Sequence, residues 1–293
     1  MCFLTQNKKF LESNFLKIFF LFFFVFSFCF IRVSGEANKT EESSLLTFEE
    51  PMPFQVYLPA AAVSGEGEQR FPVLYLLHGQ SQNETIWGTM GLFDLADRLI
   101  ADGTIQPLII VTPREENYLG VIQDSAFGQK ILNELIPLVD ERFPTINERS
   151  SRAIGGISRG AVWAQYLCFK NYEVFAVLGQ HSLPSQVVSS PLIYRQRETY
   201  RESLPEIQIR IDSGENDPYL DGARILSAQL ASLNYPHTFV INPGGHNVDY
   251  WTENLEQYLI WYSQSLNKAA SAPDRKLCTL LSGCPVSSQS LDN

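Results

Sequence analysis

The chain of 293 residues reads as an α/β protein, with a mainly parallel central sheet covered by helices on both faces. Three features point there. Short continuous apolar runs recur along the chain, the pattern of strands buried on both sides. Stretches with apolar residues at helical spacing lie between them. The segment Gly156-Ile157-Ser158-Arg159-Gly160 sits where one apolar run, Ala153-Ile154, gives way to a helical stretch.

At the amino terminus, Lys8, Lys9 and Lys17 stand before or at the edge of Ile18 to Ile31, an uncharged and almost wholly apolar run of fourteen residues. Val33-Ser34-Gly35 then supplies small residues suited to cleavage before Glu36. This predicts a secretory signal peptide over 1–35, its apolar core short for a bilayer span of about 20 residues. Left uncleaved, the same segment would act as a membrane anchor. Bulky Phe28 directly before Cys29 does not fit a lipidation signal. A polar linker is expected over 36–50, one domain over 51–266, and a Ser-rich polar flexible tail over 267–293. No internal repeat is present.

Within the domain, Val73 to Leu77, Leu108 to Val111, Phe175 to Leu178, Ile207 to Ile211 and His237 to Ile241 read as strands. Helical spacing covers Ile131 to Phe143, where Pro137 removes an N–H and predicts a kink. Further helices are expected after the Ser158 turn, over Ala223 to Leu233 and over Val248 to Leu266.

Twenty-two basic against thirty-two acidic residues give a formal net charge of −10, with no Lys or Arg cluster, which argues against a nucleic-acid partner. Loss of the leader would remove more basic than acidic groups and leave a still more acidic protein. Of the cysteines, Cys168 falls on the helix after the Ser158 turn, as a buried inert thiol. Cys278 and Cys284 either close a small disulfide loop in an oxidising compartment or remain free. No spacing of Cys, His and acid residues resembles a zinc site, and no metal is expected.

G-x-S-x-G at a strand-to-helix junction is the pattern of a sharp turn that exposes a serine hydroxyl to a base and to backbone donors. Gly156 and Gly160 allow the strand and helix to approach closely. A serine used in this way needs a histidine base, an acid and an oxyanion hole. The chain order that goes with this turn leaves His181, His237 and His246 as candidate bases. Chemistry gathers at the carboxyl ends of parallel strands, so His237, which opens a strand, is misplaced, whereas His246 follows the same strand in a flexible loop. His181 precedes any candidate acid and is expected to line the pocket or the core.

After the strand ending at Ile211, Asp217 has the reach to orient His246; Asp212, adjacent to the strand, is the alternative, and Glu215 ranks below both. The backbone N–H groups of Arg159, directly after the serine, and of Gln80, after the run from Val73 to His78-Gly79, are the expected oxyanion donors. His78 is expected to pack and hydrogen-bond so as to hold that loop.

The segments Tyr75 to Trp87 (Y-L-L-H-G-Q-S-Q-N-E-T-I-W), Leu135 to Phe143 (L-I-P-L-V-D-E-R-F), G-G-I-S-R-G and Gly244 to Trp251 (G-G-H-N-V-D-Y-W) together resemble the bacterial putative esterase family. That family includes esterase D-like, feruloyl and enterochelin-type esterases and mycolyltransferases. The resemblance covers about residues 52 to 264. It implies an α/β-hydrolase fold, Ser158 as nucleophile, Asp217 as acid, His246 as base, and Gln80 with Arg159 as oxyanion donors. The chain departs from it at Ser158-Arg159-Gly160-Ala161, where many relatives have S-M-G-G.

The implied activity is hydrolysis of carboxylic esters, carbohydrate or phenolic esters among them, through an acyl-enzyme and without a cofactor. The alternatives are acyl transfer to a sugar or other alcohol, and a binding protein on a decayed hydrolase fold. Expected substrate-contacting residues are Trp87, Arg114, Tyr118, His181 and Trp251, aromatics for stacking and arginine for a carboxylate. Arg159 and Arg114 suit either a substrate carboxylate or pairing with Glu115 and Glu116. The stretch Leu183 to Leu204 is long enough for a small cap.

Overall fold

A computed structural model of the protein describes residues 42–65, 68–184, 198–199 and 206–272. The leader expected over 1–35, most of the tail, Cys278, Cys284 and most of the expected cap lie outside the described residues. An eight-stranded sheet has the order β1-β2-β4-β3-β5-β6-β7-β8. Its strands are β1 (Ser44–Phe48), β2 (Phe54–Leu58), β3 (Val73–Leu77), β4 (Ile109–Pro113), β5 (Arg152–Ile157), β6 (Val177–His181), β7 (Gln208–Gly214) and β8 (Thr238–Asn242). From β4 across to β8 every neighbour is parallel, while β1 and β2 pair antiparallel and β2 joins β4 antiparallel.

The main helices are α1 (Leu92–Ala101), α2 (Ile136–Arg142), α3 (Arg159–Lys170), α4 (Leu220–Ser232) and α5 (Val248–Ser271). One core packs Ile131, Leu135 and Val139 with Leu167 of α3 and Leu226 and Leu230 of α4. A separate core packs Leu95 and Leu99 of α1 with Leu255 and Leu259 of α5. The sheet lies between these two apolar layers, as continuous apolar runs such as Val73–Leu77, buried along their whole length, require.

Three boundaries differ from those the composition predicts. β1 lies inside the expected linker, because glutamates flank a strand whose period-two pattern turns Leu46 and Phe48 onto the core and Leu45 outward. Phe48 stacks on Phe54 of β2 with ring centroids 4.8 Å apart. α5 runs to Ser271 and buries Leu266 and Ala269, so the ordered fold continues past 266. Pro137 produces a π-helical turn over Ile131–Leu135, which then passes into α2. Widening the ladder ahead of the proline accommodates the N–H that it lacks.

A slot through the sheet ties α5 to the strands. Gly155 of β5 and Gly179 of β6 are register partners. A Cβ on either would overlap the phenol oxygen of Tyr262, which reaches in from α5. Gly155→Ala is therefore expected to destabilise the fold by about 2–3 kcal/mol. Combining it with Tyr262→Phe, which removes the overlapping oxygen, should recover part of that loss. Urea unfolding of the single and double variants checks both expectations.

Candidate active site

The end of β5 and the start of α3 meet at Ser158, whose backbone has φ 52° and ψ −120°. For a non-glycine residue this conformation stores on the order of 1–3 kcal/mol. It is held because Gly156 and Gly160 lack side chains. A Cβ on Gly156 would lie 2.5 Å from the Gly160 carbonyl carbon, and one on Gly160 would overlap the Leu77 carbonyl at the end of β3. The Ser158 N–H donates to the His181 carbonyl at 2.9 Å, and the Ser158 carbonyl accepts from Ala161 N–H at 2.9 Å to open α3. The hydroxyl thus stands above the carboxyl ends of β3, β5 and β6.

Two loops converge on that hydroxyl. After β7, Glu215 N–H donates to the Asn242 carbonyl at 2.8 Å and Asn216 N–H to the Gly244 carbonyl at 2.9 Å, stitching the Asp217 loop to the loop after β8. Asn247 caps α5 by accepting from Tyr250 N–H at 2.9 Å, which fixes His246 just ahead of a 24-residue helix. His246 Nδ1 lies 2.9 Å from Asp217 Oδ2, and Nε2 lies 2.9 Å from Ser158 Oγ. An ionised carboxylate only accepts, so Nδ1 carries the proton and Nε2 is free to accept from the serine hydroxyl.

The Asp217 side chain is 0% exposed and that of His246 is 17% exposed, so the carboxylate is shielded while the imidazole is reachable. Burial pushes the Asp217 pKa upward, but hydrogen bonds from His246 and the Tyr219 N–H, the charge of His246 and the Ser182 hydroxyl outweigh it and bring the pKa below the ordinary value. Asp217 therefore stays ionised beside the imidazole. Ser182, one residue past β6, belongs to no motif in the sequence. Its backbone has φ 55°, and its hydroxyl accepts from the Trp251 indole N–H at 3.0 Å. Its place just beyond a parallel strand end is the one sequence signal that points to it.

On the oxyanion side, Gly79 packs against Ser158, since a Cβ placed on it would lie 3.3 Å from the serine Cβ. Glu115 N–H donates to His78 Nε2 at 2.8 Å, so Nδ1 holds the ring proton and donates to the Gly79 carbonyl at 2.7 Å. Burial lowers the His78 pKa. His78 is a neutral brace for the Gly79-Gln80 turn, as expected. The Arg159 guanidinium makes two hydrogen bonds of 2.7 Å to Glu115 and one of 2.9 Å to the Gly120 carbonyl. Of its two expected uses, pairing with Glu115 is the one found, and it occupies the Nε–Nη2 edge of the guanidinium.

Asp212 is engaged elsewhere. It accepts from His181 Nδ1 at 2.6 Å, Tyr258 at 2.8 Å and Tyr250 at 3.2 Å, with Arg210 Nε at 3.3 Å. Tyr262 donates to His181 Nε2 at 2.9 Å, and the ring of Tyr258 stacks on His181 at 3.7 Å. Burial opposes the Asp212 charge, but its charge attraction and hydrogen bond to His181, with Arg210 and Tyr258, bring its pKa below the ordinary value.

His181 is thus fully buried in the α5 core and is corrected from a pocket-lining residue; only its carbonyl serves the site. Trp87 is likewise buried in the core. Trp251 is buried and meets His246 edge-on, with ring centroids 5.3 Å apart. It shapes the site from inside and offers no stacking face. Arg114 is exposed, with Nε 4.0 Å from Glu84, and Tyr118 is half-exposed on the same loop. His237 stays away from Ser158, bonded to Ser227 and the Tyr235 carbonyl. Cys168 is buried, with its thiol pKa pushed up to about 12 by burial. Among the described residues, no group of three or more His, Cys, Asp or Glu side chains is arranged to hold a metal ion.

The sheet order, the strained serine turn and the convergence of three loops define an α/β-hydrolase fold. Residues 46–262 match the model of the family described as "Putative esterase", and the chain belongs to that family. Curated proteins match part of it, two of them as follows. An endo-1,4-beta-xylanase/feruloyl esterase of Xylanibacter ruminicola is 35% identical over 134 residues, 42% of this chain and 18% of that protein. Endo-1,4-beta-xylanase Y of Acetivibrio thermocellus is 30% identical over 124 residues, 38% of this chain and 11% of that protein. The match thus spans less than a fifth of either relative.

Among solved structures, a ferulic acid esterase has a TM-score of 0.67 at 22% identity, covering 77% of this chain and 99% of its own. A ferulic acid esterase from Anaeromyces mucronatus, solved with ferulic acid, has a TM-score of 0.62 at 18% identity, covering 80% and 96%. An S-formylglutathione hydrolase from Staphylococcus aureus has a TM-score of 0.60 at 20% identity, covering 77% and 96%. At these identities the structures speak to the fold.

The His78 brace has a consequence for stability. The unfolded chain takes up a proton on this imidazole below its ordinary pKa of 6.5, and the folded chain resists doing so. Its contribution is therefore fully present above pH 6.5 and is lost as pH falls toward the folded pKa, at a slope of at most about 1.4 kcal/mol per pH unit. Urea unfolding at pH 7 and pH 5 should show a larger loss in the parent protein than in His78→Gln, which has no proton to gain.

Proposed function

We propose that the chain is a secreted serine esterase that hydrolyses carboxylic esters through an acyl-enzyme, with Ser158 as nucleophile, His246 as base and Asp217 as acid. The observation that carries this is the hydrogen-bonded line Ser158–His246–Asp217, two bonds of 2.9 Å on a serine held in a strained turn. His246 Nε2 takes the hydroxyl proton as Oγ bonds to the ester carbonyl carbon, and the carbonyl electron pair moves onto oxygen. Asp217 holds the resulting imidazolium. The Gln80 and Arg159 N–H groups receive the oxyanion, each donor being worth about 3 kcal/mol in such sites. Collapse expels the alcohol with the proton from His246, and water repeats the sequence to release the acid.

Aromatic or otherwise apolar acyl groups suit the rim. On the loop tied to Arg159, Leu119 is 81% and Val121 61% exposed, and Tyr219 is 44% exposed with its ring 4.8 Å from that of His246. Tyr118 and Arg114 stand on the same loop as Leu119 and are the remaining wall residues. The likeness to feruloyl and ferulic acid esterases favours phenolic esters carried by carbohydrate. Secretion rests on the leader-like segment over 1–35; among the described residues no helix is long and apolar enough to cross a membrane.

Ser158→Ala should fold normally and lower kcat on a phenolic ester by about 10⁴-fold or more. Asp217→Asn should lower kcat by about 10⁴-fold with little change in Tm. Asp212→Asn should lower Tm, because it strips a buried cluster of its charge, while leaving kcat far less affected. Steady-state kinetics and thermal melts on the three variants test the assignment, and an exchange of the two aspartate phenotypes would move the acid to Asp212.

A further inference from the structure

We propose that Glu115 is a positioning residue that aims both oxyanion donors from a single point; this rests on the roles given above to Ser158, Gln80 and Arg159. Two chains of hydrogen bonds leave this residue. Through its main chain, the N–H donates to His78 Nε2 at 2.8 Å, and His78 Nδ1–H donates to the Gly79 carbonyl at 2.7 Å. That carbonyl and the Gln80 N–H belong to one planar trans peptide, so they point in opposite directions. Holding the carbonyl from one side aims the N–H at the other. Gln82 N–H also donates to the Gly79 carbonyl, at 3.2 Å, so that carbonyl is held twice, and the preceding peptide is held through the Gly79 N–H, which donates to Gln82 Oε1 at 2.8 Å.

Through its side chain, Glu115 grips the residue that carries the other donor. Both carboxylate oxygens accept from Arg159, at 2.7 Å each, in the fork geometry that fixes orientation as well as distance. The pair is shielded, with the Glu115 side chain 3% and that of Arg159 15% exposed. The second guanidinium contact, to the Gly120 carbonyl at 2.9 Å, closes the loop that carries Glu115 back onto α3. The Gly79-Gln80 turn and the head of α3 come from distant parts of the chain, and Glu115 bridges them. A methionine at 159 could not make this link.

Glu115→Gln keeps the main-chain N–H and nearly the same shape but removes the charge and one of the two acceptors. It should lower kcat by about 10-fold to 100-fold with KM changed less than about threefold, since misplaced donors act on the transition state alone. Affinity for a trifluoromethyl ketone, whose hemiketal oxyanion occupies the hole, should fall by the same factor. Glu115→Gln/Arg159→Met replaces the buried ion pair with a neutral pair, a change that buried pairs tolerate well. It should match the single variant and not add to it, and it decides the matter should Glu115→Gln fail to fold. If kcat and ketone affinity of the folded variants stay within about twofold of the parent, the positioning role is wrong. Ser158→Ala is measured alongside: full activity there would overturn Ser158 as the nucleophile, and a parent protein without ester hydrolysis would overturn the ester-hydrolase reading, each a different result from a silent Glu115.

Discussion

The close approach of the Ser158 turn to the end of β3 is the constraint on which the site depends. Gly156 and Gly160 meet each other and the Leu77 carbonyl with no room for a methyl group, and only that contact lets a serine sit at φ 52° with its hydroxyl clear of the sheet. The strain is offset by the two apolar layers that fix β5 and α3 on either side of the turn. The same approach brings Gly79 against the serine, the placement on which the proposed use of the Gln80 and Arg159 N–H groups rests. The geometry for chemistry is thus a by-product of how tightly one helix start packs on two strand ends.

Beneath the turn lies a second histidine–aspartate pair, which differs from the first in what its Nε2 meets. Both imidazoles give Nδ1–H to a carboxylate, at 2.6 Å for His181 and 2.9 Å for His246. His181 Nε2 then meets Tyr262, whose phenol pKa is raised well above its ordinary value by burial and which lies inside the core. His246 Nε2 meets a strained, reachable serine. The inner pair still reaches the site through the main chain: the His181 carbonyl holds Ser158 N–H at 2.9 Å, and the Asp212 carbonyl holds Ser182 N–H at 2.8 Å. Its aromatic and ionic cluster locks the strand ends from which the nucleophile turn and Ser182 hang.

Much of this was legible in the sequence because it depends on local pattern. Unbroken apolar runs located the parallel strands, and the strand-then-loop logic separated His246 from His237 and put Asp217 ahead of Asp212. What escaped depends on which side of the sheet a residue faces and how deep it lies. Trp87, Trp251 and His181 follow strand ends, or start helices beside the site, as wall residues would, yet packing turns them inward. Nothing local distinguishes an aromatic that lines a pocket from one that seals the core beneath it. The Gly155–Gly179 slot for Tyr262 and the bridge from Glu115 join segments far apart in the chain. β1 was masked by its flanking glutamates, because a five-residue edge strand carries too few apolar positions to outweigh them.

The most direct measurement is to react the purified protein with a fluorophosphonate ester and locate the adduct by peptide mass spectrometry. One equivalent should attach to the peptide containing Ser158, with hydrolysis lost in proportion and labelling abolished in Ser158→Ala. Attachment to a different serine, or continued turnover by fully unlabelled protein in excess reagent, would contradict the role given to the strained turn.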